Sequence, residues 1–369
     1  MRVIITGGGT GGHIYPAIAI ADEIRAKYNE AEILFIGTEK GLEKTLVPQS
    51  GYDIRFITVT GFNRKNLLKN IKVLKDLNRG MKEAKEIIKE FKPDIVIGTG
   101  GYVCGPVVKT ASGLGIRTFI HEQNASPGLT NKLLEKHAEK VFIGFEDARV
   151  HFKKQDKIIF SGNPVRKEFF ETDRSESRAK LSLKDDDFVI ISFGGSQGAV
   201  RINEVMTETV ETLSQIDDIS VFFVTGTGYY DKTINKLKDK NVALNTNVHI
   251  LPYVDNMAEY LAACDLVISR AGALTVAEIV VCGKPSILIP SPNVTGNHQF
   301  FNAKAIADRG GAMIIEEKDL STESLIKTIL KMKNDNRASI EMAAESKKTI
   351  KNRAAEIIYN DITNIMYSK

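Results

Sequence analysis

The chain has 369 residues, 43% hydrophobic and 26% charged, which is the composition of a globular protein with room for two domains. A formal net charge of +4 is too small to argue for nucleic acid. Cys104, Cys264 and Cys282 show neither metal-ligand nor disulfide-framework spacing, and no apolar run reaches the roughly 20 residues of a bilayer-spanning helix. No leader-type segment precedes Arg2, so the expected compartment is the cytoplasm, with a membrane surface still open to the protein.

The β-branched run Val3-Ile4-Ile5 reads as a buried strand, and Ile14, Ala17, Ile18, Ala21 and Ile24 form one stripe of a helix. Between them stands GGGTGG (7–12), followed by His13. Gly7, Gly9 and Gly12 match G-x-G-x-x-G, the fingerprint of a dinucleotide-binding turn, although a tight turn without a ligand has the same glycines. Strand-like and helix-like runs then alternate: EILFIG (32–37), DIVIGTGG (94–101), RTFIHE (117–122) and KVFIG (140–144). The segment 62–82 carries Leu67, Leu68, Ile71, Leu74 and Leu77 at helical spacing. Arg64, Lys65, Lys69, Lys72, Lys75, Arg79 and Lys82 surround them, against a single acid, Asp76. Such a basic amphipathic helix suits an anionic membrane surface, or an ordinary surface helix that buries its apolar side.

After Ser161-Gly162-Asn163-Pro164 the pattern restarts. VIISFGGSQG (189–198) echoes VIITGGGTGG (3–12), and the alternation resumes through SVFFVTG, VHILPY, DLVIS and PSILIP, ending in a long helix over about 337–366. The fold expected is α/β: two doubly wound, Rossmann-like domains facing across a cleft. Residues 1–162 form the first, rejoined by a C-terminal helix over 345–369, and residues 163–344 form the second.

Open parallel sheets bind ligands at the carboxyl ends of their strands, and there the glycine loops 7–12, 98–106 and 194–199 all fall. GGSQGA precedes a helix near Val200, so its N–H groups and Ser196 offer a phosphate cradle. Glu278, within RAGALTVAE, is placed to accept from a ribose diol, or is a solvated glutamate favoured by a helix start. Asn297, His298 and Gln299 suit sugar hydroxyls, or Asn297 simply caps a helix. Arg166 can reach a diphosphate, and Glu122, Gln123 and Asn124 lie at the rim, part of that run in an ion-paired structural role. The D-x-D of Asp185-Asp186-Asp187 precedes its strand, at the edge away from any ligand, and reads as a solvated turn; no metal site is expected.

In order, GGGTGGH, TGGYVCGP, HEQN, GNPVR, GGSQGA, RAGALTVAE and NHQFFNA closely resemble the MurG family of peptidoglycan N-acetylglucosaminyltransferases over nearly the whole chain. The resemblance implies the glycosyltransferase B fold. It also implies inverting transfer of N-acetylglucosamine from UDP-N-acetylglucosamine, a substrate and not a cofactor, to the C4 hydroxyl of muramoyl-pentapeptide on undecaprenyl diphosphate (lipid I to lipid II). That chemistry serves peptidoglycan and cell-wall synthesis on the cytoplasmic face of the membrane, with the protein peripheral, no nucleic acid involved and no protein partner specified. Thr10, Gly11 and Gly12 would border donor sugar and diphosphate, and Asn124 would contact the sugar. Arg166 and Ser196 would hold the diphosphate, Val254 would sit by the uracil, and Ala273, Leu274, Thr275, Val276, Ala277 and Glu278 would line the nucleotide, with Glu278 on the ribose. Gln299 would bind sugar hydroxyls; His298 stands where some members carry a second glutamine.

His13, at a helix start whose dipole disfavours imidazolium, is the candidate general base, or else a hydrogen-bonded turn residue. The lipid-linked acceptor makes Leu67, Lys69, Ile71, Lys72, Leu74, Lys75 and Arg79 the expected membrane-facing set. Two other readings share parts of the pattern. One is an enzyme of the same fold, such as a UDP-N-acetylglucosamine 2-epimerase or a glycolipid synthase. The other is a dinucleotide oxidoreductase with Glu39 on the ribose. A binding protein on an inactive transferase fold would not need an intact His13 and Gln299.

Overall fold

The computed structural model describes the chain apart from residues 62–69, 196–197, 241, 243, 350, 352 and 368–369, and apart from the side chains of 70–72. Leu67, Lys69 and Ser196 therefore lie outside the described residues, as do the side chains of Ile71 and Lys72. The chain divides into two compact units, Met1–Val165 with Lys351–Lys369, and Arg166–Ile350.

Unit 1 runs β1 (Arg2–Thr6), α1 (Gly11–Lys27), β2 (Glu32–Gly37), α2 (Glu43–Gln49), β3 (Asp53–Phe56), α3 (Asn70–Phe91), β4 (Ile95–Gly98), α4 (Cys104–Gly113), β5 (Arg117–Glu122), α5 (Leu129–Leu134), β6 (Lys140–Ile143) and β7 (Ile158–Phe160). Its sheet is parallel throughout, in the order β3-β2-β1-β4-β5-β6-β7. The apolar runs read from the sequence are buried on both faces: Val3, Ile5, Ile95 and Ile97 pack on one side, and Ile4, Val96, Ile120 and Val141 on the other. A strand covered on both faces must be apolar throughout, which is why these strands show no alternation.

Unit 2 contains α6 (Glu168–Glu171), α7 (Arg174–Lys180), β8 (Phe188–Phe193), α8 (Val200–Leu213), β9 (Ile219–Val224), α9 (Tyr230–Asp239), β10 (Val248–Leu251), α10 (Met257–Ala263), β11 (Leu266–Ser269), α11 (Ala273–Val281), β12 (Ser286–Leu288), α12 (His298–Ala307), β13 (Met313–Ile314), α13 (Thr322–Asn334) and α14 (Asn336–Lys348). Its parallel sheet has the order β10-β9-β8-β11-β12-β13. With β8 in the place of β1 and β11 in that of β4, this repeats the order of unit 1. The echo between the two glycine loops is thus an echo of topology: each follows the first strand of its sheet, where the strand order reverses.

Two expectations about helices change. The single helix over 337–366 is two: α14 ends at Lys348 in unit 2, and α15 (Ala354–Tyr367) belongs to unit 1. Arg353, just before α15, takes a left-handed φ of 61°. Helix α15 lies on α1, with Ile358 and Ile362 buried beside Val3, Ile14 and Ile18. Residues 345–350 therefore stay with unit 2, and the boundary falls at Val165/Arg166 rather than after residue 162.

Helix α3 continues to Phe91, nine residues beyond the basic segment. Its later part enters the core through Ala84, Ile87 and Ile88, while Gly80 approaches the Thr58 carbonyl too closely for a side chain. Leu74 stays 61% exposed, whereas Leu77 is half-buried, so the apolar stripe is divided between core and surface. Among the described residues no helix is long and apolar enough to cross a membrane.

Candidate active site

In unit 1 the strand order reverses between β1 and β4, and the loops that follow these strands meet there. Gly7 lies against the Thr99 hydroxyl, and Gly101, at φ 82°, lies against the Gly8 carbonyl, with no room at either place for a Cβ. The glycines of TGGYVCGP thus allow one loop to pack on the other. A buried carboxylate completes the arrangement. Glu43, fully buried at the start of α2, accepts from the N–H of Gly9 at 2.9 Å and from the N–H and hydroxyl of Thr38 at 2.9 and 2.8 Å. An amide of the fingerprint loop is therefore taken by the protein's own anion. Glu39, the ribose partner that an oxidoreductase would need, is exposed. The sequence offered no means of telling Glu43 from Glu39; only burial separates them.

Thr10 is the N-cap of α1, Gly11 and Gly12 form its first positions, and His13 follows as the third. The imidazole Nδ1 lies 3.1 Å from the Thr99 carbonyl oxygen and 3.0 Å from Gln123 Oε1. A carbonyl only accepts, so Nδ1 carries a proton, and in the neutral ring the lone pair is on Nε2. Gly100, at φ 108°, makes this fit possible, because a Cβ there would stand 2.7 Å from Nδ1.

HEQN forms the end of β5 and the turn after it. Glu122 is buried, but amides satisfy it where an ion pair was expected: the N–H and Nδ2 of Asn124, the N–H of Gly128 and Nδ2 of Asn131, at 2.9 to 3.1 Å. This carboxylate shapes the turn that presents Asn124. His121 is fully buried, and burial pushes its imidazole down to about 4, so the ring is neutral.

In unit 2 the equivalent reversal lies between β8 and β11. Helix α8 begins at Val200, as expected, with no side-chain cap on its first turn. Among the described residues no atom lies within 4 Å of where a Cβ on Gly195, at φ 87°, would stand. Helix α11 starts from Gly272, again without a side-chain cap. Ala273, Leu274, Thr275 and Glu278 are half-buried along it, whereas the side chains of Val276 and Ala277 turn into the core, leaving only their main chain to a nucleotide.

Glu278 is not a helix-start glutamate. It stands in the second turn of α11, and its packed surroundings raise its carboxyl to about 7; nearby Arg166 pulls the value down, and Glu168 pushes it up. The structure thus brings together two residues 112 positions apart that the sequence could assign only separately. The Arg166 guanidinium also lies over the Phe169 ring, 5.2 Å from its centre. Val254 is buried in the loop after β10. Asn297 stands at the N-cap of α12 in a left-handed conformation (φ 53°) and makes no side-chain cap bond, so the helix-capping reading fails. Gln299 Oε1 accepts from the Ser291 N–H at 2.8 Å, which leaves its NH₂ group as what it can offer a ligand.

Asp185, Asp186 and Asp187 precede β8 and line an open cavity of about 640 Å³ with Asp218, Asp265 and Lys284, all at the amino ends of strands. The cavity is large, but it lies at the edge of the sheet opposite the glycine loop. Among the described residues no cluster of His, Cys, Asp or Glu is arranged to hold a metal ion.

Residues 3–143 match the N-terminal domain of glycosyltransferase family 28, and residues 189–358 match its C-terminal domain. The chain is also 46% identical over 366 residues to the UDP-N-acetylglucosamine--N-acetylmuramyl-(pentapeptide) pyrophosphoryl-undecaprenol N-acetylglucosamine transferase of Thermoanaerobacter sp. (strain X514), covering 99% of this chain and all of that one. The chain belongs to the MurG family. It is a glycosyltransferase, with the two-sheet fold of that family. The crystal structure of Acinetobacter baumannii MurG superposes with a TM-score of 0.78 at 28% identity, covering 98% of this chain and 99% of that one. A putative UDP-N-acetylglucosamine 2-epimerase from Listeria monocytogenes superposes with a TM-score of 0.72 over 100% of this chain and 97% of that one. At 14% identity, that likeness is one of fold.

Proposed function

We infer that this chain transfers N-acetylglucosamine from UDP-N-acetylglucosamine to the C4 hydroxyl of muramoyl-pentapeptide on undecaprenyl diphosphate, with inversion at the sugar. The observation that carries the mechanism is the His13 ring, whose Nδ1–H is engaged by Thr99 and Gln123 so that Nε2 is its basic atom. Nε2 takes the proton of the acceptor hydroxyl as that oxygen attacks the anomeric carbon, and UDP leaves from the opposite face. Unit 2 holds the leaving group. The uncapped starts of α8 and α11, together with Arg166, stabilise the diphosphate, and Glu278 accepts from the ribose hydroxyls. Val254 adjoins the uracil, and the NH₂ of Gln299 and the amide of Asn124 bind the sugar, bordered by Thr10, Gly11 and Gly12. Ser196, whose hydroxyl belongs to the same diphosphate role, lies outside the described residues.

The acceptor is lipid-linked, so the protein works as a peripheral protein on the cytoplasmic face of the membrane. The exposed Leu74, Lys75 and Arg79 of α3 support docking there. Lys72 of the same helix, and Lys69, which lies outside the described residues, would add charge.

Purified protein given UDP-N-acetylglucosamine and a short-chain lipid acceptor analogue should release UDP only when the acceptor is present. UDP release or an epimerised sugar nucleotide without acceptor would instead favour the 2-epimerase reading.

A further inference from the structure

The base reading leaves two buried groups unexplained: Gln123 and His121, 1% and 0% exposed, directly behind His13. Their hydrogen bonds form one chain. His121 Nε2 lies 3.0 Å from the Gly162 carbonyl, and its Nδ1 lies 2.9 Å from Gln123 Nε2. Gln123 Nε2 is also 2.7 Å from the Thr99 carbonyl, and Gln123 Oε1 is 3.0 Å from His13 Nδ1.

Both carbonyls can only accept, and this fixes the direction of every bond between them. Gly162 requires a proton on Nε2 of His121, so the neutral ring accepts at Nδ1. Thr99 requires the NH₂ end of Gln123 on its side, and that same NH₂ supplies the proton His121 needs. Oε1 is then the only atom that Gln123 can present to His13, and an oxygen there demands Nδ1–H. Asn163 Nδ2 holds the Gln123 main chain through its carbonyl oxygen at 3.0 Å.

We propose that Gln123, oriented by neutral His121, is a positioning residue that locks His13 in its Nδ1–H tautomer. The inference rests on the base reading for its consequence, not for its geometry. With Nε2–H the lone pair would point inward at Thr99 and Gln123, and the ring could not take a proton from a substrate. The titratable groups around this cluster are otherwise engaged. Glu122 faces the amides of Asn124, Gly128 and Asn131, and Glu43 faces Gly9 and Thr38. The Tyr102 hydroxyl meets Thr38, and the Cys104 thiol, pushed up to about 12 by burial, donates to the Thr6 and Gly100 carbonyls.

The test is a long-range ¹H–¹⁵N correlation spectrum of full-length protein labelled at histidine nitrogens, which reads each tautomer without turnover. His13 should show Nδ1–H and His121 Nε2–H. Gln123→Leu leaves the Thr99 carbonyl, at 3.1 Å, to hold Nδ1–H without Gln123, so the Nε2–H tautomer should become detectable and kcat should fall about 10–100-fold, a fraction of the roughly 10⁴ lost when a triad histidine is held in the wrong tautomer. The KM for UDP-N-acetylglucosamine should change little. A glutamine with no part in the tautomer would leave the His13 signal unchanged in folded Gln123→Leu. An Nε2–H signal for His13 in the wild type would overturn the proposal, as would an unchanged, exclusive Nδ1–H signal in a folded Gln123→Leu protein. A wild type with Nδ1–H whose turnover survives His13→Gln would leave the tautomer assignment standing and remove the base reading instead.

Discussion

The two units share one strand order and one loop position, yet they fill that loop differently. In unit 1 a carboxyl of the protein enters it: Glu43 takes the Gly9 amide, Thr99 presses on Gly7, and Gly8 carries Gly101. In unit 2 Gly194 lies against Ala199 and Gly198 against the Thr225 carbonyl, and among the described residues no carboxylate takes an amide of that loop; α1, α8 and α11 alike begin without side-chain caps. A titratable group shielded by packing in each unit also differs in kind. Unit 1 holds a histidine that burial keeps neutral, and unit 2 holds a carboxyl that burial keeps near neutrality. The topology supplies a rim in both. Side chains make the difference: Glu43 closes on the first loop in unit 1, whereas in unit 2 the proposed donor site draws on Arg166 and Glu278 instead.

The sharpest way to break this division of labour is at His13. His13→Gln keeps a hydrogen-bonding side chain but cannot take the proton, so turnover should fall about 10²–10⁴-fold. Donor affinity, assigned to unit 2, should stay near wild type. Near-normal turnover would make His13 a turn residue and unit 1 a binding surface only.

The reciprocal test is Glu278→Ala, which should weaken UDP-N-acetylglucosamine binding by roughly 1.5–3 kcal/mol through the lost charged hydrogen bonds, read by calorimetry. The sign of its pH dependence follows from the raised carboxyl. Free Glu278 binds a proton below about 7, and the ribose hydroxyls favour the ionised form. Donor affinity should therefore tighten as pH rises through about 7, and Glu278→Gln should lose that dependence. Unaltered affinity in a folded Glu278→Ala protein would move the ribose elsewhere.

A third test compares stability. Unfolded, His121 takes a proton near pH 6.5; folded, it resists until about 4. Its contribution is present in full above 6.5 and is lost as pH falls, on the order of 2 kcal/mol by pH 5. Glu278 acts in the opposite sense, since its folded value is raised: its neutral form is favoured at low pH, and ionisation costs stability as pH climbs from about 4.5 through 7. Denaturant unfolding followed by a probe in each unit should show unit 1 weakening toward pH 5 while the Glu278 contribution to unit 2 recovers. Parallel loss in both would contradict the contrast.

The smallest effect per residue is expected at the membrane. Replacing Lys69, Lys72, Lys75 and Arg79 with glutamine should weaken sedimentation with anionic vesicles by about 1 kcal/mol for each charge near the surface, fading in high salt. Turnover of a soluble acceptor analogue should survive. Unchanged sedimentation would assign the whole of α3 to its own domain.

Much of this molecule was legible before any coordinates. The β-branched runs are strands because a parallel sheet covered on both faces must be apolar throughout, and that signal is local. The repeated glycine loop announced two halves, since a strand running into a glycine turn and a helix is a short-range pattern. Motif order then carried the resemblance, and with it the donor and acceptor chemistry.

Other features depended on residues far apart in the chain. Glu43 differs from Glu39 only because the chain folds α2 onto the first loop. The end of the molecule read as one helix because helical periodicity continues across residues 349–353, and only packing shows that α14 and α15 belong to different units. The tautomer of His13 is a property of four groups spread from Thr99 to Gly162, each fixing its neighbour's proton. Local propensity and spacing are written in neighbouring residues, so the sequence by itself determined the elements, their order and the family. Burial, and the direction of a hydrogen bond, are set by whichever distant groups share the same space, so only the tertiary structure decided which glutamate is an internal anion, which is held near neutrality, and which nitrogen of His13 is basic.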